Sequence, residues 1–259
     1  MKSLEIFSGA GGLAQGLKLA GFEHQALIEW NKDAYRSLRH NFSPSTVLEI
    51  DIQDFDYTAY KGIDILAGGP PCQPFSLGGK HKGSEDTRNM FPHAIRGIRE
   101  LAPKAFIFEN VKGLLRPSFS SYFDYILLQL AYPQIPKIKQ ETWNSHFTRL
   151  EKIHTKDSYQ GLKYNVTYKL VNAANYGIPQ KRERVIIVGI EDSLNRKFSF
   201  PQKTHSLNKL LWDKFVTQDY WNRFKIPRSQ QELANSKIQK KVERLKQYYG
   251  IFNPLNCLG

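Results

Sequence analysis

Short apolar runs alternate with amphipathic stretches over the first 190 residues. SLEIF (3–7), HQALIEW (24–30), TVLEID (46–51), GIDILAGG (62–69), KAFIFEN (104–110) and ERVIIVGI (183–190) have strand length and apolar content. KAFIFEN has the dense apolar and aromatic character of a strand inside a parallel sheet. Between the strands, Leu13, Leu17 and Ala20 recur at helical spacing, a polar helix is expected around Asp33 to Asn41, and another from about Phe91 to Leu101. YFDYILLQLAY (122–132) reads as a buried helix ended by Pro133 and Pro136, and the polar stretch up to Gly161 as an insertion or irregular arm. YNVTYKLVNAANYG alternates as a strand to Val171 and breaks at the Asn-Ala-Ala-Asn that follows. Strand and helix in alternation predict an α/β, doubly wound, mostly parallel Rossmann-like sheet, whose ligands bind beyond the carboxyl ends of the strands.

The pattern changes after Ile190. Residues 191–228 interleave aromatics with cations and show little periodicity, which places a domain boundary near 191, with residues 1–190 as one domain and 191–259 as a partial second one. Ser229 is expected to open a helix: SQQE (229–232) fits a capping box, Ile238, Val242, Leu245 and Tyr249 make an apolar stripe, and Gly250 fits a stop. Lys237, Lys240, Lys241 and Arg244 occupy its other face, as solvated surface or as a phosphate reader.

At 259 residues, 41% hydrophobic and 13% aromatic, the chain is too apolar for a disordered one. No stretch approaches the ~20 uninterrupted apolar residues of a membrane span. The N-terminus lacks a secretory apolar run, and two cysteines give neither a disulfide framework nor zinc-ligand spacing, so a cytoplasmic protein without metal or membrane partner is expected. The net charge of +13 adds a polyanion to the candidate partners, against an ordinary solvated surface. Residues 191–259 concentrate that charge, with 13 Lys and Arg against 6 Asp and Glu.

The glycines of FSGAGG (7–12), after a strand, suit a tight turn and close ligand approach, or a plain strand-to-helix connection. Gly9, Gly11 and Gly12 are too closely spaced for the dinucleotide G-x-G-x-x-G. Glu29 ends the second strand, where a carboxylate can accept both hydroxyls of a ribose, and Asp51 ends the third, where it can accept from an adenine amine. Trp30 and Phe7 offer aromatic walls for the same pocket, although Asp51 could cap a turn and Trp30 could be core. A dinucleotide needs a helix N-terminus aimed at pyrophosphate; S-adenosylmethionine carries no phosphate, and a looser glycine turn suits it.

LEIFSGAGGL, IEW, DI, GGPPCQPFS, FENVKG and QKRER follow one another in an order and at spacings that resemble the DNA cytosine-5 methyltransferase family, over roughly residues 3–190. The resemblance implies an S-adenosylmethionine-dependent methyltransferase sheet, with Phe7, Gly9, Gly11, Gly12, Leu13, Glu29, Trp30, Asp51, Ile52 and Pro71 around the cofactor. It implies that Cys72 adds to carbon 6 of cytosine, that Glu109 serves ring nitrogen 3, and that Arg184 binds the carbonyl oxygen with Arg182 beside the thiol. Asn110 and Gln73 are implied as supports, and the prolines around Cys72 as a means of fixing its loop. Read alone, Cys72 could be a buried small hydrophobe, Glu109 a cap, and the two arginines a solvated strand face. Cys257 lies outside any motif of the family.

Double-stranded DNA is the implied partner, its target base flipped out of the stack, with residues 191–259 where a target-recognition region begins. A bacterial restriction system is the implied setting. The Arg-rich and Gly-Asn blocks that usually close the family's pattern are not found, so a fragment, or a split enzyme completed by a second polypeptide, is among the expectations. A tRNA cytosine-5 methyltransferase and a non-catalytic cofactor-binding remnant or regulatory DNA-binding subunit are the alternatives.

Overall fold

The computed structural model describes residues 1–71 and 89–251. Among them, β1 (Lys2–Ile6), β2 (Glu23–Glu29), β3 (Val47–Glu49), β4 (Ile65–Gly68), β5 (Ala105–Val111), β6 (Tyr164–Asn172) and β7 (Glu183–Glu191) form one sheet in the order β3-β2-β1-β4-β5-β7-β6. The first five run parallel, and β7 pairs antiparallel with β5, so the expected mostly parallel α/β sheet is the one observed. The chain winds outward from β1 toward β3, then resumes beside β1 with β4. That reversal opens a crevice at the carboxyl ends of β1 and β4.

The chain divides into two compact units, residues 1–170 with 184–200, and residues 171–183 with 201–259. In the first, α1 (Gly12–Leu19), α2 (Lys32–Asn41), α3 (Phe91–Leu101), α4 (Ser120–Ala131) and α5 (Trp143–Lys156) cover the strands. Leu4, Ile6, Leu66, Phe106 and Phe108 from the strands meet Phe91, Ile98, Ile126 and Leu130 from α3 and α4 in the main core. Each such fully buried side chain contributes roughly 1.5–3 kcal/mol of transfer free energy. A smaller cluster of Ala14, Leu27, Leu38, Phe42 and Val47 lies under α1 and α2.

The polar stretch expected to be an irregular arm contains α5. Thr142 caps it through Oγ1, which accepts from the Ser145 amide at 3.2 Å, and its His146 and Leu150 are buried. Buried His146 meets the Tyr125 hydroxyl at Nδ1 and the Ile135 carbonyl at Nε2. Apolar Trp143, Phe147 and Leu150 keep a helical face, but the polar residues between them hide it in the sequence.

The second unit holds α6 (Leu207–Phe215), α7 (Asp219–Arg223) and α8 (Ser236–Ile251), where little periodicity before Ser229 had suggested irregular chain. The first two are too short for a clear period, and they close on buried Leu211 and Trp221, whose indole N–H donates to the Lys214 carbonyl at 2.6 Å. Ser229 does not open α8, because it lies in a 3-10 turn (Arg228–Gln230) and Asn235 supplies the cap. Asn235 Oδ1 accepts from the amides of Lys237 and Ile238, while Glu232 of the supposed capping box bonds Lys214 instead. Gly250 lies within α8 and does not end it.

Candidate active site

Five parallel strands place their carboxyl ends along one edge, and Phe7, Glu29, Asp51 and Glu109 lie at or just beyond those ends. β1 leaves the sheet through Phe7, whose φ of +54° lies in the left-handed region that a bulky residue occupies only at a cost of order 1 kcal/mol. Gly11, at φ +89°, then starts α1; a Cβ there would lie 2.6 Å from the Phe42 ring, so glycine is required by both backbone and space. At the neighbouring strand end a Cβ on Gly68 would collide with the Ile6 carbonyl oxygen. β1 and β4 can therefore approach this closely only with glycine at that position.

The Glu29 carboxylate ties the glycine turn to the next strand. Oε2 accepts from the Gly9 amide and Oε1 from the Asn31 amide, both at 2.8 Å. Each oxygen keeps a further lone-pair site, so the buried group remains able to accept two hydroxyls. Trp30, next in the chain, is 69% exposed and belongs to no core. Gly12 is exposed and Leu13 half-buried at the start of α1.

Asp51 lies two residues beyond the end of β3 and forms a turn, its Oδ1 accepting from the Gln53 amide at 2.9 Å. Arg96 of α3 holds that turn from beneath. Its guanidinium donates to the carbonyls of Ile52 and Phe55 and lies 4.9 Å from the centre of the Tyr57 ring. Ile52 is buried. His93, also on α3, has its pKa held below the usual histidine value by burial and by Arg96, with the Asp51 charge partly offsetting both.

Cys72 and Gln73 lie outside the described residues, as does Cys257. The residues on either side of 72–88 are well anchored. Pro70 O accepts from Asn110 Nδ2 at 3.0 Å, Pro71 O accepts from the Met90 amide at 3.2 Å, and Asn89 donates to the buried Tyr122 hydroxyl. The bond from Met90 to exposed Pro71 thus brings the two ends together at the carboxyl edge of β4, beside buried Asn89.

On β5, Glu109 sits diagonally across from Arg184 of β7, because Val111 pairs with Arg184 and Glu109 with Ile186. The side chains form an ion pair, Nε to Oε1 at 2.5 Å, and are 25% and 32% exposed. A Cβ placed on Gly69 would lie 3.7 Å from Glu109 Oε2 and 3.9 Å from the Phe7 carbonyl. Gly69, three residues before Cys72, therefore lies against both the Glu109 carboxylate and the Phe7 carbonyl. Arg182 belongs to the second unit and is exposed; its amide donates to Asn172 Oδ1 at 3.2 Å.

Glu5 escaped the sequence reading. It is 1% exposed within β1, with Oε2 lacking any partner, and burial raises its pKa from 4.5 to about 8 although the Ala14 amide donates to it. A lone carboxylate inside the apolar LEIF run was the available signal. Arg96 escaped the reading as well, because its role depends on the carbonyls of a turn some forty residues away in the chain. Among the described residues no helix is long and apolar enough to cross a membrane, and no cluster of potential metal ligands occurs.

Residues 1–132 and 144–253 match the C-5 cytosine-specific DNA methylases. The chain belongs to that family. It is 39% identical over 223 residues to the type II methyltransferase M.NgoMIV of Neisseria gonorrhoeae, covering 85% of this chain and 62% of that one. M.AquIA of Picosynechococcus is 35% identical over 213 residues, with 79% and 77% covered. Among solved structures, an Escherichia coli prophage protein described as a DNA modification methyltransferase aligns with a TM-score of 0.57 and 26% identity over 82% of this chain and 54% of that one. This member of the family thus spans about three fifths of the length of its Neisseria relative.

Proposed function

We propose that the chain carries the cofactor and base chemistry of a type II DNA cytosine-5 methyltransferase in a bacterial restriction system. The observation that carries this reading is the meeting of the Glu109–Arg184 pair with the chain at Gly69, at the crevice where the Glu29-anchored glycine turn also ends. A cytoplasmic setting belongs to the same proposal. The comparisons give a second polypeptide no support.

The site fits S-adenosylmethionine by its donor set. Glu29 has lone pairs left for two ribose hydroxyls, Trp30 presents an exposed aromatic face, and Asp51 stands at the edge with one oxygen uncommitted. Phe7, Gly9, Gly11, Gly12, Leu13, Ile52 and Pro71 would form the rest of its walls. When bound, this cofactor supplies a methyl group carried on a sulfonium. The residues of the chain prepare the acceptor.

In this mechanism the Cys72 thiolate forms a bond to carbon 6 of a flipped cytosine, and the displaced electron pair gives carbon 5 its nucleophilic character. Glu109, when its carboxyl carries a proton, donates it or a hydrogen bond to ring nitrogen 3 as that electron density develops. The Arg184 guanidinium, already oriented by Glu109, stabilises charge on the base carbonyl oxygen, and Arg182 neutralises charge near the thiol. After methylation, loss of the proton on carbon 5 to a base returns an electron pair to the ring and expels the thiolate. Residues 191–259 would begin the region that reads the target duplex.

A duplex bearing 5-fluorocytosine tests the chemistry, because fluorine cannot leave as a proton does and the adduct persists. With labelled S-adenosylmethionine the wild-type chain is expected to form a denaturation-resistant complex that disappears in Cys72→Ser. An adduct with tRNA and none with any duplex would select the tRNA enzyme. Absence of both, with cofactor binding intact, would sink the catalytic reading.

A further inference from the structure

The second unit contains a cleft of about 470 Å³ that the proposed chemistry does not use. Leu210, Leu211 and Ile238 contribute apolar surface to it, and Lys181, Lys237 and Lys241 bring three ammonium groups. Lys237 and Lys241 are one turn apart on α8, so they share a face, and like charges at that spacing oppose each other. Burial lowers the Lys241 pKa from the usual lysine value, and the charge on Lys181 lowers it further.

Glu232 is the one carboxylate lining the cleft, and it is already committed. It lies 2.7 Å from the buried Lys214 ammonium, which also donates to the Pro179 carbonyl. Among the described residues, no carboxylate stands within ion-pair distance of Lys181, Lys237 or Lys241. Three cations with no counter-charge around a partly apolar groove are a standing electrostatic cost that an anion removes.

The apolar lining narrows the choice of anion. A free phosphate uses the ammonium groups and leaves the leucines and isoleucine bare, whereas a phosphodiester strand presents phosphate oxygens and sugar carbons together. Lys181 immediately precedes Arg182, so the cleft adjoins, along the chain, a residue proposed to act at the target base.

We propose that Lys181, Lys237 and Lys241 form a seat for the sugar–phosphate backbone of the substrate duplex, with deoxyribose against the apolar lining. The inference rests on the DNA-acting reading above and assigns that substrate a specific point of contact. It makes the three lysines positioning contacts that carry no sequence information.

The test is fluorescence anisotropy of the full chain with a labelled duplex, across ~50 to 200 mM salt, a range over which phosphate contacts are strongly weakened. Lys181→Ala combined with Lys241→Ala is expected to make the log–log salt slope shallower by ~1 to 2, about one for each phosphate no longer neutralised. Affinity at low salt should fall about tenfold or more, with S-adenosylmethionine binding and melting temperature unchanged. Lys61→Ala with Lys152→Ala removes the same formal charge from exposed positions of the other unit. An equal reduction in that control, or an unchanged slope in the cleft variant, would overturn the seat while leaving DNA binding intact. A wild-type chain that binds cofactor but no duplex would instead remove the underlying reading and the seat with it. A parallel titration with inorganic phosphate separates the sources: phosphate binding abolished in the cleft variant with unaltered duplex binding would make this a free-anion site and reject the proposal.

Discussion

Glu5 shows how one buried atom can set the pH behaviour of a strand. Burial raises its folded-state pKa to about 8, so the folded protein holds a proton that the unfolded chain releases near the ordinary carboxylate value of 4.5. The stability this group contributes is fully present below about pH 4.5 and lost as pH rises to about 8, by at most about 1.4 kcal/mol per pH unit. Glu5→Gln, which cannot ionise, should therefore flatten the decline in melting temperature between pH 5 and pH 8. A decline identical to wild type would show that the Glu5 charge is compensated in the folded chain. Phe7, two residues on, illustrates the same scale: its left-handed backbone is held by the strand end before it and the glycine turn after it.

Among the elements, α3 does more than cover the sheet. Its start follows Met90, whose amide bonds Pro71, and Arg96 in its middle carries the carbonyls of Ile52 and Phe55. One helix thus braces both the base of the segment bearing Cys72 and the turn bearing Asp51. Arg96→Met removes both hydrogen bonds and the contact with Tyr57, and should lower stability by about 2 kcal/mol in urea unfolding. Arg96→Lys can restore at most part of that, because an ammonium does not reproduce the fork that reaches two carbonyls. Equal stability of the Met variant and wild type would mean that the turn is held without Arg96.

Across the whole molecule, the proposed cofactor site joins β1, β2 and the turn beyond β3, so occupancy should be felt globally. A ligand that binds only the folded chain at 100 times its Kd stabilises it by about 2.7 kcal/mol. S-adenosylmethionine is expected to raise the melting temperature of the wild-type chain, and Glu29→Ala to abolish the increase. A full increase in that variant would remove Glu29 from the ribose role. The electrostatic asymmetry acts at this scale as well, since the most basic part of the sequence, residues 191–259, also supplies Lys214, Lys237 and Lys241, three of the four lysines that line the cleft.

The strands and the motifs at their ends were legible in the sequence because both are local. An apolar run is buried wherever it packs, and motifs such as FSGAGG and FENV sit at strand ends whose direction a parallel sheet fixes. The helices α5, α6 and α7 were not legible: α5 dilutes its period with polar residues, and the other two are short and gain their burial from each other. The start of α8 was misjudged because Glu232 could serve a cap or a distant cation, and only packing brought Lys214 to it. By itself the sequence determined the sheet, the glycine turn and the identities of Glu29, Glu109 and Arg184 as candidates. The tertiary structure alone decided that Glu109 and Arg184 pair across antiparallel strands, that Glu5 is buried without a full set of partners, and that four lysines line one cleft. Those facts depend on distances between residues far apart in the chain, which strand register and helix packing set and local sequence pattern does not encode.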